Sequence, residues 1–154
     1  MKKGIIISWA VVLLWMAAIF TLSSQPAADS NKLSKGITEV VLEAMDNIIP
    51  EKEFDVDDFN NITRKNAHFF AYLLLGGLVL NALRLSLNRS WGYRAFIAVA
   101  ICGLYAVSDE IHQMFVPGRS AQLRDVLIDT SGALVGIVIS YALFLKLSKK
   151  RGSI

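Results

Sequence analysis

Apolar residues in this chain are gathered into four long runs, and the polar residues of the runs collect toward one end. The runs cover residues 5–22, 67–85, 95–115 and 126–147. Each run is close to the roughly 20 residues that a helix needs to cross a hydrocarbon core of ~30 Å. The pattern predicts an all-α fold, an integral membrane four-helix bundle.

The segment between the first two runs has a different pattern. Its apolar residues recur at helical spacing from about 31 to 49, with charged residues mostly opposite, and Pro50 can end the helix. This predicts an amphipathic helix on the outer membrane surface, which either covers the helix ends or moves as a lid. With the four spans it would form a single domain over residues 1–154.

Composition supports a membrane protein. The chain has 154 residues, of which 54% are hydrophobic. The mean hydropathy is +0.47, which is too apolar for a small soluble domain. The first run exceeds the roughly 7–15 apolar residues of a cleavable signal and is expected to be an uncleaved anchor. The single cysteine, Cys102, cannot form a disulfide within the chain.

The distribution of charge predicts the orientation. Arg84 lies at the end of the second run, Arg89 and Arg94 lie in the short segment that follows it, and both termini are also basic, whereas residues 23–66 carry nine acids against five bases. Because basic segments remain in the cytoplasm, we expect a multi-pass protein with cytoplasmic N- and C-termini. The basic cytoplasmic segments account for the net charge of +3. The charge therefore does not imply a nucleic acid partner.

Three runs place an ionisable side chain at a common depth. Counted from the basic residue at the inner end of its own helix, each of His68, Asp109 and Asp129 lies roughly 22–25 Å along the axis at ~1.5 Å per residue. This level is several Å beneath the outer edge of a ~30 Å core. The sequence therefore predicts a polar cluster in the outer half of the bundle.

Each of these runs also keeps its polar side chains on one stripe of its helix. The stripe residues are Arg64, Lys65, His68 and Tyr72 in the second run, Tyr105, Asp109, His112 and the nearby Gln113 in the third, and Asp125 and Asp129 in the fourth. Glu110 is expected to face away from them. Gly132 and Gly136 continue the fourth stripe as a GxxxG motif, which favours close contact with another helix.

The segment between the third and fourth runs brings further cations near the stripes. Pro117 and Gly118 predict a sharp turn, which would hold Arg119 and Arg124 near the cluster. Arginines and helix N-termini suit a phosphate or carboxylate ligand, but they would equally neutralise the aspartates. A purely structural network is the alternative, although each charge in a membrane costs about 2.5–3.5 kcal/mol. Keeping several charges at one depth favours a functional site.

Residue types suggest a role for each member of the cluster. A histidine would act as acid or base and an aspartate would orient it, so the candidate catalytic residues are His68, Asp109, His112 and Asp129. The candidate substrate-binding residues are Arg64, Lys65, Tyr72, Tyr105, Gln113, Arg119, Arg124 and Asp125. Both histidines and both aspartates are also candidate metal ligands. Because no HExxH or similarly tight spacing is present, no metal and no cofactor is predicted.

Four sequence blocks together resemble the VanZ-like family of bacterial membrane proteins. The blocks are Ser23–Pro26, Arg64–Gly76, Asp109–Arg119 and Asp125–Gly132. Members of that family often carry Asn at the position of Asp129. The family is named for a protein that gives low-level teicoplanin resistance, so the resemblance implies the cell membrane and an envelope context rather than a particular reaction.

Three functions remain open from the sequence. The first is binding or modification of a lipid-linked or anionic envelope substrate at the outer leaflet, with a membrane lipid or lipid-linked precursor as partner. The second is a non-catalytic interaction module that presents the outer helix to a membrane partner or a second copy of the chain. The third is a transporter component, which the apolar inner halves of the spans disfavour.

Overall fold

The computed structural model describes residues 2–26, 56–119 and 121–151, and they form four helices without a strand. The helices are α1 (Lys2–Ser23), α2 (Val56–Ser86), α3 (Trp91–Gln113) and α4 (Leu123–Arg151). The predicted all-α class is confirmed. The predicted amphipathic helix at 31–49 lies outside the described residues.

All four helices are long and apolar enough to cross a membrane. The segments that meet this criterion are Lys2–Ser23, Thr63–Ser86, Trp91–Gln113 and Leu123–Ser148. Most of these segments are longer than the predicted apolar runs. Helical hydrogen bonding continues through the polar residues at the helix ends, whereas hydropathy detects only the apolar part of each helix. At the start of α3, the backbone N–H of Tyr93 donates to Ser90 Oγ at 3.4 Å, so Ser90 caps the helix before its apolar run begins.

The third helix ends slightly earlier than its apolar run. The backbone N–H of Phe115 donates to the carbonyl of His112 at 3.0 Å, which closes a turn after Gln113. Gly118 then adopts a φ of 77°, in the left-handed region that a residue with a Cβ rarely enters. This glycine allows the chain to reverse into α4 and confirms the turn predicted at Pro117 and Gly118.

The closest helix contact joins α2 to α4. A Cβ at Gly132 would lie 2.4 Å from the carbonyl oxygen of Phe69, and one at Gly136 would lie 1.8 Å from that of Leu73. Gly76 approaches the Ala133 carbonyl of α4 in the same way. The GxxxG motif therefore packs against α2, as its position on the polar stripe predicts.

The first helix is attached to α2 by two tryptophans. Trp9 Nε1 donates to Ser86 Oγ and Trp15 Nε1 donates to the carbonyl of Ala71, both at 2.9 Å. These bonds align the start of α1 with the end of α2. The two helices are therefore antiparallel neighbours.

Outward-facing side chains are apolar over most of the bundle. Leu14 is 70% exposed, Phe96 70% and Leu104 72%. Apolar exposure on this scale is unusual in a soluble monomer but is what lipid tails require of a membrane protein. The buried core is also apolar and includes Leu75 and Val79 of α2 and Ile137 of α4.

Candidate functional site

The buried polar and charged side chains of the described residues all lie at one end of the bundle. They are Ser23, Asp109, Glu110, Gln113 and Asp129. At this end α1 and α3 finish, while the membrane-crossing part of α2 and the helix α4 begin. The antiparallel arrangement thus gathers residues from all four helices into one region.

Three residues form the centre of this region, and we call them the central cluster: His68, Asp109 and Asp129. His68 Nδ1 lies 3.5 Å from Asp129 Oδ2. One donor atom from each of the three residues lies within 4.8 Å of the others. The close approach of α2 and α4 at Gly132 brings His68 to Asp129, because Phe69 and Gly132 are near them in sequence.

The two aspartates of the central cluster are held differently. Asp109 Oδ2 accepts a hydrogen bond from Ser23 Oγ at 2.9 Å and another from Gln113 Nε2 at 3.3 Å. Asp109 Oδ1 and both carboxylate oxygens of Asp129 have no hydrogen-bond partner in the described part of the chain. Each aspartate is only 1% exposed, and an unpaired buried acceptor costs about 1–3 kcal/mol. The cluster is therefore not optimised for packing alone.

His112 lies to the side of the central cluster, against α1. Its Nε2 is 3.0 Å from Ser24 Oγ, and its ring centroid is 4.2 Å from that of Phe20. The two histidines thus have different environments. His68 faces a buried carboxylate, whereas His112 packs against an aromatic ring and a hydroxyl.

An ion pair lies at the rim. Lys65 Nζ is 3.0 Å from Asp125 Oδ1, and both side chains are partly exposed. The pair joins α2 to the first turn of α4. Because it is partly solvated, its contribution to stability is small, and its position beside the cleft matters more.

Arg119 reaches this region from the turn between α3 and α4. Its Nε and Nη1 atoms are buried and have no hydrogen-bond partner among the described residues. Burial lowers the pKa of its guanidinium from the ordinary value, and the neighbouring Arg64 charge lowers the pKa further. Asp109 and Glu110 act on it in the opposite direction. Arginine remains charged in proteins, so a buried Arg119 guanidinium close to the Arg64 charge favours an anion nearby.

Glu110 does not face away from the site, and the sequence-based prediction was wrong on this point. It is 5% exposed, and its Oε2 accepts a hydrogen bond from the backbone N–H of Gln122 at 2.8 Å. The end of α3 lies between α1 on one side and the returning chain on the other. Asp109 can therefore face α1 while Glu110 holds the segment that leads into α4.

Other predicted binding residues lie around the cluster. Tyr105 donates its hydroxyl to the Met16 carbonyl at 2.6 Å, so it joins α3 to α1. Tyr72 is fully buried, its hydroxyl has no partner in the described part, and its ring centroid is 6.0 Å from that of Tyr105. Arg124 is exposed at the start of α4. The structure therefore places Tyr72 in the interior and Arg124 at the surface.

A narrow cleft opens onto the central cluster. Its lining residues are Arg64, Lys65, His68, Glu110, Gln113, Asp125, Ile128 and Asp129. Its volume of about 10 Å³ is near the minimum for one water molecule. The three donor atoms of the central cluster could also hold a metal ion, but they would have to move closer, since tetrahedral zinc at ~2.0–2.2 Å needs donors ~3.3 Å apart.

Ser23 and Ser24 contact the predicted site residues Asp109 and His112 but were not predicted themselves, and neither was Glu110, which lines the cleft. The serines follow an apolar run, and a hydroxyl carries little weight in a search for charge. Their place in the first of the four blocks was the signal that could have identified them.

Comparison with known protein families gives a match to VanZ/LLP1. The match covers residues 8–145, which are most of the chain. No curated protein and no solved structure matches the chain.

Proposed function

Because the chain belongs to the VanZ/LLP1 family and has four helices able to cross a membrane, we propose that it binds and modifies a lipid-linked or anionic envelope substrate at the outer leaflet. The observation that carries the proposal is Arg119, whose buried Nε and Nη1 lie beside the central cluster and have no hydrogen-bond partner among the described residues. A cationic group and a histidine–carboxylate pair at one place are what an anionic substrate undergoing proton transfer would need.

The anionic group would be held by Arg119 and Arg64. The Arg64 charge lies close enough to lower the pKa of the Arg119 guanidinium. A phosphate or carboxylate beside Arg119 would offset this repulsion and accept from its Nε and Nη1, which have no hydrogen-bond partner among the described residues. Lys65 is already paired with Asp125 and would contribute mainly to the positive potential at the entrance.

Proton transfer would be carried out by His68. Its Nδ1 faces Asp129, which fixes the ring orientation and stabilises the protonated form, so the other ring nitrogen can exchange a proton with substrate. Asp109, oriented by Ser23 and Gln113, supplies a second carboxylate at the same place. His112 has a less suitable environment, because it packs against Phe20 and Ser24.

The position along the helices supports a substrate that reaches the site from the membrane surface. The cluster lies at the end opposite the basic segments, which is the outer end if basic segments are cytoplasmic. Entry of a headgroup requires the cleft to widen, since its closed volume is about 10 Å³. The family context suggests protection against teicoplanin-type glycopeptides as the cellular outcome.

Transport is less well supported by the buried core. Next to the cluster, the side chains that fill the interior are apolar, including Leu75, Val79 and Ile137. A conduction path would need polar groups to continue toward the other end of the bundle. A binding role without catalysis would use the same arginines, Arg64 and Arg119. It differs from the catalytic role only in that His68 would not be required.

The proposal can be tested by complementation of a deletion host. Wild type, His68→Ala, Asp109→Asn and Arg119→Gln would be compared for membrane abundance and for teicoplanin susceptibility. Arg89→Gln is a matched control for loss of a positive charge, because Arg89 lies at the opposite end, over the Tyr93 ring at 6.0 Å. We expect the His68, Asp109 and Arg119 variants to lose protection at normal abundance and the control to keep it.

Two other results would contradict the proposal. Full protection by the His68 and Asp109 variants would exclude proton transfer at the cluster. Loss of protection in step with loss of protein would assign the cluster to the scaffold and direct attention to residues 31–49. Binding without catalysis would appear as loss of protection in Arg119→Gln but not in His68→Ala.

A further inference from the structure

A second groove lies at the other end of the bundle, between α2, α4 and the start of α3. Its volume is about 510 Å³, and most of its wall is apolar. The apolar part includes Leu80, Tyr141 and Phe144, while Asn81, Arg84 and Arg94 contribute polar groups. The groove is thus apolar along its length and cationic at one place.

The charge at this end has no counterpart within the described helices. Lys2, Lys3, Arg84, Arg89, Arg94 and Lys146 lie here, at the start of α1 and α3 and the end of α2 and α4. No aspartate or glutamate occurs in residues 2–26, 80–108 or 130–148. Ion pairing within the described helices therefore does not neutralise this end, which makes it complementary to an anionic ligand.

Two arginines are positioned at the groove itself. The guanidinium of Arg84 lies 4.9 Å from the centre of the Phe144 ring, and its Nη2 donates to Asn81 Oδ1 at 3.0 Å. Arg94 Nη2 donates to the carbonyl of Arg89, but its buried Nε has no hydrogen-bond partner in the described part. One arginine is therefore held over the apolar wall, and the other has a donor still available.

Aromatic side chains mark this level as the membrane interface. Trp91 stacks on Tyr141 with ring centroids 4.1 Å apart, and both residues line the groove. Tryptophan and tyrosine concentrate at the depth of the lipid headgroups. An anion bound here would therefore lie where lipid phosphates are found.

We propose that this groove binds an anionic phospholipid, with an acyl chain along Leu80 and Phe144 and the phosphate at Arg84 and Arg94. Basic pockets between membrane helices bind anionic headgroups in this way. A free phosphate would leave the apolar wall uncovered, and a neutral lipid would leave the positive charge unbalanced. The site is separate from the central cluster, so the proposal does not depend on the proposed catalytic role.

The experiment measures lipid binding to the purified full chain by native mass spectrometry. Dioleoyl phosphatidylglycerol and dioleoyl phosphatidylcholine have the same acyl chains and differ in headgroup charge. We expect the wild type to bind phosphatidylglycerol more tightly. Since a basic residue beside a bound anionic headgroup changes lipid affinity by about fivefold, Arg84→Gln with Arg94→Gln should weaken phosphatidylglycerol binding by about thirtyfold.

Arg89→Gln is the matched control, because Arg89 belongs to the same basic segment but does not line the groove. We expect its phosphatidylglycerol affinity to stay close to that of the wild type. An equal loss in this control would show that only the general surface charge attracts lipid. Equal binding of the two lipids by the wild type would overturn the proposal even if the double variant could not be purified.

Discussion

Gly132→Ala tests whether close packing of α2 and α4 maintains the central cluster. The added Cβ would lie 2.4 Å from the Phe69 carbonyl oxygen, 3.1 Å from its carbon and 3.2 Å from Phe69 Cδ2. Backbone on the opposite helix cannot rotate away as a flexible side chain can. Ordinary van der Waals contact begins at 3.4 Å, so the helices must separate by about 1 Å at this position.

That separation has two consequences of different kinds. Overpacking costs about 1–3 kcal/mol, partly offset by the roughly 1 kcal/mol by which alanine favours a helix over glycine. The separation also lengthens the distance between His68 Nδ1 and Asp129 Oδ2 from 3.5 Å toward about 4.5 Å, outside the ~4 Å range of an ion pair. We therefore expect the free energy of unfolding to fall modestly, while protection in the complementation assay falls strongly.

Gly103→Ala supplies the matched control. The same substitution on α3 places the methyl group 3.8 Å from Thr130 Oγ1, which is an ordinary contact. This variant should be as stable as the wild type or more stable by up to ~1 kcal/mol. Thermal unfolding in detergent would measure stability, and the complementation assay would measure activity at matched membrane abundance.

The two readouts can refute different steps. If Gly132→Ala unfolds at the same temperature as wild type and Gly103→Ala, the two helices do not meet at this register. If it is destabilised but still protects the host at normal abundance, activity does not require His68 to lie beside Asp129. Either result would remove the link between the GxxxG contact and the central cluster.

Two further predictions concern the chain around the cluster. Glu110→Gln should weaken the hydrogen bond to the Gln122 N–H by about 1 kcal/mol, because a charged acceptor becomes neutral. Tryptic cleavage after Arg119, in the adjoining segment, should therefore become faster. An unchanged cleavage rate would contradict this role of Glu110. Purified protein should contain less than one equivalent of zinc by elemental analysis, since the cluster donors are spread up to 4.8 Å apart and tetrahedral zinc needs them at ~3.3 Å; a full equivalent of zinc that disappears in Asp129→Asn would contradict this expectation.

The fold was largely predictable because its main determinant is local in sequence. A run of about 20 apolar residues has few alternatives to a membrane-spanning helix. The helix ends were less predictable, since Ser90 caps α3 and Asp125 lies in the first turn of α4, and neither belongs to an apolar run. A hydropathy pattern indicates which residues lie in the hydrocarbon core, whereas hydrogen bonding and capping determine where a helix begins.

The depth of the candidate site along the helices was predictable from the sequence, but the contacts of its side chains were not. The helical rise alone places His68, Asp109 and Asp129 at one level, and the structure brings their donor atoms together. Rotation of each helix about its axis depends on packing against every neighbour. That is why Glu110 was assigned to the wrong side and why the hydrogen bond from Ser23 to Asp109 was not foreseen.

The two ends of the bundle solve opposite electrostatic problems. At one end, acids and bases of α2, α3 and α4 are brought together with Arg119, yet Arg119 and Asp129 keep buried atoms that have no hydrogen-bond partner among the described residues. At the other end, the described helices carry bases without acids at the level of the lipid headgroups, so we expect anionic lipid to balance the charge. An apolar core around Val79 and Ile137 separates the two ends. Substitutions in the central cluster should therefore alter activity without changing lipid selectivity, and substitutions at Arg84 should do the reverse.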